Sequence, residues 1–287
     1  MRTTISPATP VWPLLAGVAL VGIFGHLFLH AESQIAVLAL SIAGVLLLWG
    51  FSRFGWTARS AASASAHPRL LGVAAVAAVA AVGAVSFDSH FALLMLTTVL
   101  LYSTVCLGLN IQFGYSGVVN FAGAAFFGIG SYTAAVLVTH THLPHLMVIA
   151  LGGLVAALIG SLLIMPVLRT RGHYASLVTI AFGILFKTFL EVNDTLGGPQ
   201  GLRIPGMEIL GWKFNDNIEI GDYELSFYLN YLVLGLAICA LTFVLVRRLE
   251  RSWIGLSMDV VRLDETGAST FGVDISHWKI TARSRYG

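Results

Sequence analysis

Between Asp88 and Arg169 the chain contains no aspartate, glutamate, lysine or arginine. Soluble domains usually carry about a quarter charged residues, whereas this chain of 287 residues is 10% charged and 57% hydrophobic. A soluble fold of this length could not bury that much apolar surface and keep so few charges outside. The composition therefore excludes a soluble enzyme and a disordered chain. The net charge of +2 gives no indication of a nucleic-acid partner.

Apolar segments long enough to cross a bilayer recur along the whole chain. A bilayer core of about 30 Å needs about 20 apolar residues per helix. The predicted crossings are residues 12–30, 35–52, 70–87, 91–112, 117–139, 146–168, 174–192 and 227–246. The sequence therefore predicts an all-α integral membrane protein, a polytopic helical bundle of about eight transmembrane helices.

The basic residues of the loops predict the orientation of the chain. Cytoplasmic loops of membrane proteins are enriched in lysine and arginine. With the N-terminus in the cytoplasm, only Arg203 and Lys213 of the basic loop residues fall outside. The loop arginines that fall inside are Arg53, Arg59, Arg69, Arg169, Arg171, Arg247, Arg248 and Arg251. We therefore expect a cytoplasmic N-terminus.

Shifts in composition divide the chain into four parts. Residues 1–52 form an N-terminal unit of two membrane helices, and the Ala- and Ser-rich stretch 53–69 is predicted to be a cytoplasmic linker. Residues 70–252 form the transmembrane core, and residues 253–287 form a moderately polar cytoplasmic segment. The core includes one long external loop, 193–226, whose alternating polar and apolar residues predict a short hairpin.

The uncharged segment 110–133 is rich in polar and small residues, including Asn110, Gln112 and Asn120. Glycine and serine permit close packing of membrane helices. They also permit a break in a helix, provided that the exposed amides find partners or a wet cavity. The sequence therefore leaves two interpretations open: tight helix packing, or a discontinuous helix that lines a transport path.

Two further groups of side chains have a structural and a functional interpretation. Lys187 and Glu191 are spaced i, i+4 near the outer end of the seventh crossing. They form either an interfacial ion pair or a counter-charge for a zwitterionic substrate. For His140, His142 and His145 we expect a polar turn rather than a zinc site, because no carboxylate or cysteine is near in sequence.

Residues 114–135, GYSGVVNFAGAAFFGIGSYTAA, resemble the signature of branched-chain amino acid ABC importer permeases of the LivM type. Three more motifs follow in the order of that family. They are RTRGHY at 169–174, LGGPQGL at 196–202, and the segment 255–279, which is similar to the loop that couples to the ATPase. Together the motifs span about residues 95–280.

The resemblance implies three groups of functional residues. The translocation path would include Gly114, Ser116, Gly117, Asn120, Gly123, Phe126 and Gly128. The external loop would use Gly197, Gly198, Pro199 and Gly201. Contact with the ATPase would involve Arg262, Asp264, Glu265 and Gly272.

The resemblance also implies partners. They are a second related permease, two ABC ATPase subunits and an extracytoplasmic amino-acid-binding protein, assembled in a bacterial inner membrane. The sequence contains no G-x-x-x-x-G-K-[ST] motif. We therefore expect no cofactor and no metal in this chain, and ATP to be used by the partner subunits. The alternatives are a urea or short-chain amide ABC permease and an ion-coupled secondary transporter.

The sequence departs from the family pattern at several places. The family usually has His where Gly123 stands and often Glu where Ile184 stands, so a polar site built on those side chains would be altered. Family members also continue beyond the coupling loop with further membrane helices. We therefore expect this chain to lack the C-terminal helices of the family.

Overall fold

The computed structural model describes residues 10–115, 120–168, 173–220 and 223–257. In these ranges eight helices are long and apolar enough to cross a membrane. The helices are α1 Trp12–Leu29, α2 Gln34–Arg53, α3 Trp56–Ala66, α4 Pro68–Val85, α5 His90–Asn110, α6 Gly123–His140, α7 His145–Leu168, α8 His173–Val192 and α9 Tyr228–Glu250. The short α3 is the member of this set that does not qualify. The predicted polytopic helical fold is confirmed, whereas the orientation of the N-terminus stays a prediction.

The start of the fifth crossing was predicted wrongly. The sequence placed it at 117, but Asn120, Phe121 and Ala122 are not helical and α6 begins at Gly123. The asparagine side chain accepts a hydrogen bond from the backbone N–H of Ala122, 2.9 Å away. A short polar side chain that bonds its own backbone competes with helix formation, and an apolar window does not detect that competition.

The starts of the first four helices follow from local chemistry. Proline is tolerated in the first helical turn because its missing N–H has no partner there, and both α1 and α4 have proline at that place. The Ser33 hydroxyl accepts the N–H of Ala36 at 3.1 Å and so caps α2. Gly55, with φ +67°, allows the chain to turn from α2 into α3.

The chain divides into two compact units. The first comprises residues up to Val99 together with Asn217–Leu236. In it α1 packs against α3 and α4. The predicted linker 53–69 is helical over most of its length, and its buried Ser63 hydroxyl donates to the Pro10 carbonyl at 2.8 Å. The linker is therefore packed against the start of α1.

The same unit contains one antiparallel hairpin, formed by β3 (Ile218–Ile220) and β4 (Tyr223–Leu225). The N–H of Ser226 donates to the Phe87 carbonyl at 3.2 Å. The Ser226 hydroxyl lies 2.5 Å from Nδ1 of His90. These contacts join the end of the hairpin to the turn between α4 and α5.

The second unit comprises Leu100–Asp216 and the chain from Ala237 onward. Its best-packed contact is between α6 and α7. The buried cluster of this unit consists of Ala122, Ala125, Phe126, Ile129 and Ala156. Phe182 and Phe186 of α8 pack against that cluster. In this unit a second hairpin pairs β1 (Glu208–Ile209) with β2 (Trp212–Lys213), so the loop predicted to hold one hairpin holds two.

Few apolar side chains of the helices are buried within the chain, as expected for a surface that faces lipid. α2 has no buried residue, although it is almost entirely apolar. Across the eight candidate spans at most 22% of the residues in the apolar window are buried within the chain. A protein in water would expose contiguous apolar surface of this size only at an interface. The bilayer supplies that interface here.

Candidate functional site

Residues 111–115 and 120–122, between α5 and α6, are not α-helical, and we call this region the break. α5 ends at Asn110 and continues as a π-helical turn over Ile111–Tyr115. The chain is non-helical at residues 120–122, and α6 begins at Gly123. Single π-helical turns are frequent at functional sites. α5 and α6 are separate candidate spans, and buried backbone amides in the segment that connects them need other groups as partners.

Three polar side chains in this region are buried almost completely. Gln112, Asn120 and Thr179 expose 3%, 2% and 0% of their surface. Nδ2 of Asn120 donates to Oε1 of Gln112 at 2.8 Å. Two neighbours along the broken segment are therefore held together by a buried amide–amide hydrogen bond.

Thr179 connects the break to α8. The N–H of Phe121 donates to the Thr179 hydroxyl at 3.1 Å, and that hydroxyl donates to the Ser176 carbonyl at 2.8 Å. With the bond from Ala122 to Asn120, both backbone amides after Asn120 are satisfied by side chains. These hydrogen bonds stabilise the non-helical conformation of the break, because each buried amide left unpaired would cost about 1–3 kcal/mol.

Glycines keep the region of the break closely packed. A Cβ on Gly114 would lie 3.0 Å from Oδ1 of Asn110, and one on Gly123 would lie 3.1 Å from Cδ2 of Leu109. A Cβ on Gly128 would lie 2.8 Å from Cε1 of Phe186. A side chain at the predicted path glycines within the described residues would therefore press on a neighbour, most closely at Gly128.

Phe126 lies in the buried core rather than on an open surface. Its ring centroid is 5.9 Å from that of Phe182. The rings of Phe113 and Phe121 are exposed and pack edge to face beside the break, with centroids 6.4 Å apart. The break thus has a polar buried side and an aromatic exposed side.

The Gly-Gly-Pro-Gln-Gly motif forms a compact turn at the end of α8. Gly197, Gly198 and Gly201 have φ values of +87°, +54° and +75°, which L side chains rarely adopt. A Cβ on Gly197 would lie 2.3 Å from the carbonyl oxygen of Gly201. The 3₁₀ turn Gly198–Gln200, which contains Pro199, packs against α8. The glycines are therefore required by the shape of this turn.

The Lys187 and Glu191 side chains form an ion pair with an Nζ–Oε1 distance of 3.4 Å. The lysine side chain is 75% exposed and the glutamate side chain 48% exposed. Exposed pairs of this kind contribute little to stability. Ile184, at the position where the family often has glutamate, is also exposed.

The histidines after α6 are not gathered into a cluster in the part of the chain that the structure describes, where no group of three or more His, Cys, Asp or Glu side chains could hold a metal ion. Nδ1 of His145 instead accepts a long hydrogen bond, 3.4 Å, from the N–H of Glu208. His145 therefore joins the start of α7 to β1.

Gln112 and Thr179 are not among the site residues predicted from the sequence. The sequence could have indicated a role for Gln112, because a polar side chain in an uncharged membrane segment needs a partner. Nothing in the sequence indicates a role for Thr179, because threonine in a helix usually bonds a carbonyl of its own preceding turn. The predicted residues Ser116 and Gly117 lie outside the described residues. So do Arg262, Asp264, Glu265 and Gly272.

Two comparisons with known proteins point to the same family. Residues 91–284 match the family model described as "Branched-chain amino acid transport system / permease component". The chain is 32% identical over 201 residues to the high-affinity branched-chain amino acid transport system permease protein LivM of Salmonella typhimurium. It is 31% identical over 200 residues to the protein of the same name from Escherichia coli K12.

Each of these two alignments covers 65% of this chain and 47% of the relative. The chain thus spans about half the length of the curated relatives it matches. No solved structure matches the chain.

Proposed function

The chain belongs to the family of branched-chain amino acid transport permeases, and we propose that it is a membrane subunit of an ATP-driven importer for branched-chain or similar amino acids. The observation that carries this proposal is the break between α5 and α6, where buried side chains bond the backbone amides. The break lies in the segment that also carries the family signature. A permease subunit is not an enzyme, and its task is to offer a shaped path.

The break between α5 and α6 borders that path. Gln112, Asn120 and Thr179 hold its shape, because their polar atoms bond one another and the local backbone. The substrate meets the exposed side of the break, where Phe113 and Phe121 offer apolar rings. An apolar surface suits the side chain of leucine, isoleucine or valine. Gly114, Gly123 and Gly128 allow the neighbouring side chains to pack closely around the break.

The energy comes from partner subunits. The assembly contains two ABC ATPase subunits, and one of them binds the cytoplasmic segment 253–287 of this chain through Arg262, Asp264, Glu265 and Gly272. A second related permease completes the path, and an extracytoplasmic amino-acid-binding protein delivers the substrate to the side that carries Gly197, Gly198, Pro199 and Gly201. The chain itself needs no cofactor, and its place is the bacterial inner membrane.

The function is tested by reconstituting the protein in liposomes with its ATPase, second permease and binding-protein partners. We expect uptake of radiolabelled leucine that requires ATP hydrolysis. Urea uptake without leucine uptake would assign the chain to the amide permeases. Leucine uptake driven by an ion gradient without ATP would contradict the proposal and favour a secondary transporter.

ATPase binding is tested by reversing two charges, Asp264→Lys together with Glu265→Lys. Exposed charges contribute little to folding but can determine which partner fits. We expect the double variant to insert normally and to lose co-purification with the ATPase. Unchanged co-purification and unchanged substrate-stimulated ATP hydrolysis would contradict the docking role.

A cytoplasmic N-terminus is part of the same proposal. In a variant with Cys106 and Cys239 replaced by serine, a cysteine at exposed Asp216 should react with a membrane-impermeant maleimide added to intact cells. A cysteine at exposed Ser65 should not. Labelling at Ser65→Cys but not at Asp216→Cys would contradict the proposal and place the N-terminus outside.

A further inference from the structure

The hairpin of β1 and β2 has a turn with an unusual composition. Leu210 and Gly211 occupy the turn with φ values of +52° and +85°. Two-residue hairpin turns with positive φ at both positions usually contain asparagine, aspartate or glycine. Within the described residues Leu210 has the one positive φ outside glycine. An apolar side chain at such a position needs a reason other than the turn itself.

The turn presents its apolar side chains outward. Leu210 is 98% exposed and the neighbouring Trp212 is 56% exposed. The base of the hairpin is fixed, because Phe214 is buried and its N–H donates to the Met207 carbonyl at 2.9 Å. Leu210 and Trp212 are therefore exposed although the base of the hairpin is packed and hydrogen-bonded.

The hairpin also lies next to a surface that faces lipid. β1 packs against α7, and the N–H of Glu208 donates to His145, the first residue of that helix. The first turn of α7 exposes more than half of Leu146 and Met147. Because α7 is long and apolar enough to cross the membrane, its first residues lie at one membrane interface. The exposed hairpin side chains thus continue an apolar surface that meets lipid.

We propose that the β1–β2 hairpin is an interfacial anchor whose Leu210 and Trp212 side chains insert into the lipid leaflet at the N-terminal end of α7. Tryptophan is enriched at membrane interfaces, where its ring is apolar and its N–H remains hydrated. Lys213 directly follows Trp212 and carries the positive charge that favours the headgroup region. The anchor fixes the loop between α8 and α9 against the membrane surface.

The test uses the full chain with Cys106 and Cys239 replaced by serine and an environment-sensitive fluorophore on Leu210→Cys. The chain is placed in phosphatidylcholine vesicles with iodide on both sides, or in vesicles whose lipids are brominated near the headgroup. The matched control is the same label on Asp216→Cys, an exposed position beyond the hairpin. We expect the label at 210 to be quenched at least twofold more by brominated lipid than the control, and at least twofold less by iodide.

A second pair of variants protects the test against a misfolded hairpin. The label is placed on Trp212→Cys, with or without Leu210→Asn, because asparagine tolerates the left-handed turn and is polar. Iodide access at 212 should rise when Leu210 is replaced. Equal iodide quenching at 210 and 216 with no quenching by brominated lipid would overturn the proposal. Shielding that develops only after an amino-acid-binding protein is added would also overturn it and assign the surface to protein docking.

Discussion

The helix α2 and the break between α5 and α6 satisfy their polar groups in opposite ways. In α2 the hydroxyl of Ser41 donates to the carbonyl of Val37 and that of Ser52 to Trp49, each at 2.7 Å. No residue of α2 is buried. At the break, the amide of Asn120 bonds Gln112, and the N–H of Phe121 bonds Thr179, 58 residues later in the sequence.

The difference shows which polar residues of a membrane protein carry information about function. A serine that bonds its own helical turn changes nothing outside that turn. The buried polar groups between α5 and α6 need partners from elsewhere in the fold, because an unpaired buried polar group is costly. The break is therefore retained only where the fold supports it, and this makes it the better candidate for a transport element.

The largest effect is expected from Asn120→Leu. The substitution leaves Oε1 of Gln112 and the N–H of Ala122 without their present partner in a buried site. Each unsatisfied group costs about 1–3 kcal/mol, so the free energy of unfolding should fall by about 2–6 kcal/mol. Denaturation of the purified chain in mixed micelles measures the change. Ser131→Ala is the control, because that exposed hydroxyl donates only to the carbonyl of Phe127 in its own turn. Equal stability of the two variants would contradict the claim that the hydrogen bonds of the break stabilise the fold more than a hydroxyl bond within one helical turn.

The next effect contrasts two adjacent glycines of α7. A Cβ on Gly152 would lie 2.9 Å from the carbonyl oxygen of Gly130 in α6, whereas a Cβ on Gly153 would meet nothing within 4 Å. Gly152→Ala should therefore destabilise the chain by about 1–3 kcal/mol through overpacking. Gly153→Ala should be neutral or stabilise it by up to about 1 kcal/mol, since alanine favours the helix. Thermal unfolding in detergent compares the pair. The same sign of change in both variants would contradict the close approach of α6 and α7.

A smaller effect is expected at Thr179. Thr179→Val keeps the shape of the side chain but leaves the N–H of Phe121 without its acceptor, which should cost about 1 kcal/mol. Thr179→Ser keeps the hydroxyl and should restore most of that stability. Thr188→Val is the control on the same helix, because Thr188 donates to the carbonyl of its own turn. If Thr179→Val and Thr188→Val unfold alike, the link between the break and α8 is not a source of stability.

The smallest effect is expected at the exposed ion pair. Lys187→Met should change the free energy of unfolding by less than about 0.5 kcal/mol, because exposed pairs contribute little. Leucine uptake distinguishes the two interpretations of the pair. Unchanged uptake fits an interfacial pair, whereas a large loss of uptake at normal stability would mean that the charge acts on the substrate.

The fold could be predicted further from the sequence than the site. Membrane crossings depend on length and apolar composition, so seven of the eight were placed within a few residues of the observed helices. The start of α6 could not be placed from hydropathy, because it is determined by hydrogen bonds of Asn120. The packed linker helix α3 was also missed, since its burial depends on a contact with Pro10 far away in sequence.

The site shows the same limit. The glycines and Asn120 were selected from the segment 110–133 by their residue types and by resemblance. The contact of Thr179 with Phe121 depends on how α8 packs, and no pattern within α8 indicates it. The outward turn at Leu210 contradicts the usual turn chemistry, so only the structure reveals it.

The most direct test of the central claim is ATP-dependent leucine uptake by the reconstituted importer that carries Gln112→Leu, compared with Ser41→Ala. Both variants should assemble with the ATPase subunits at the level of the unmodified protein, which co-purification checks. We expect at least a tenfold loss of uptake for Gln112→Leu, because Asn120 loses the partner that holds the break in shape. We expect near-normal uptake for Ser41→Ala. Equal uptake by both assembled variants would contradict the claim that the break between α5 and α6 is the transport element.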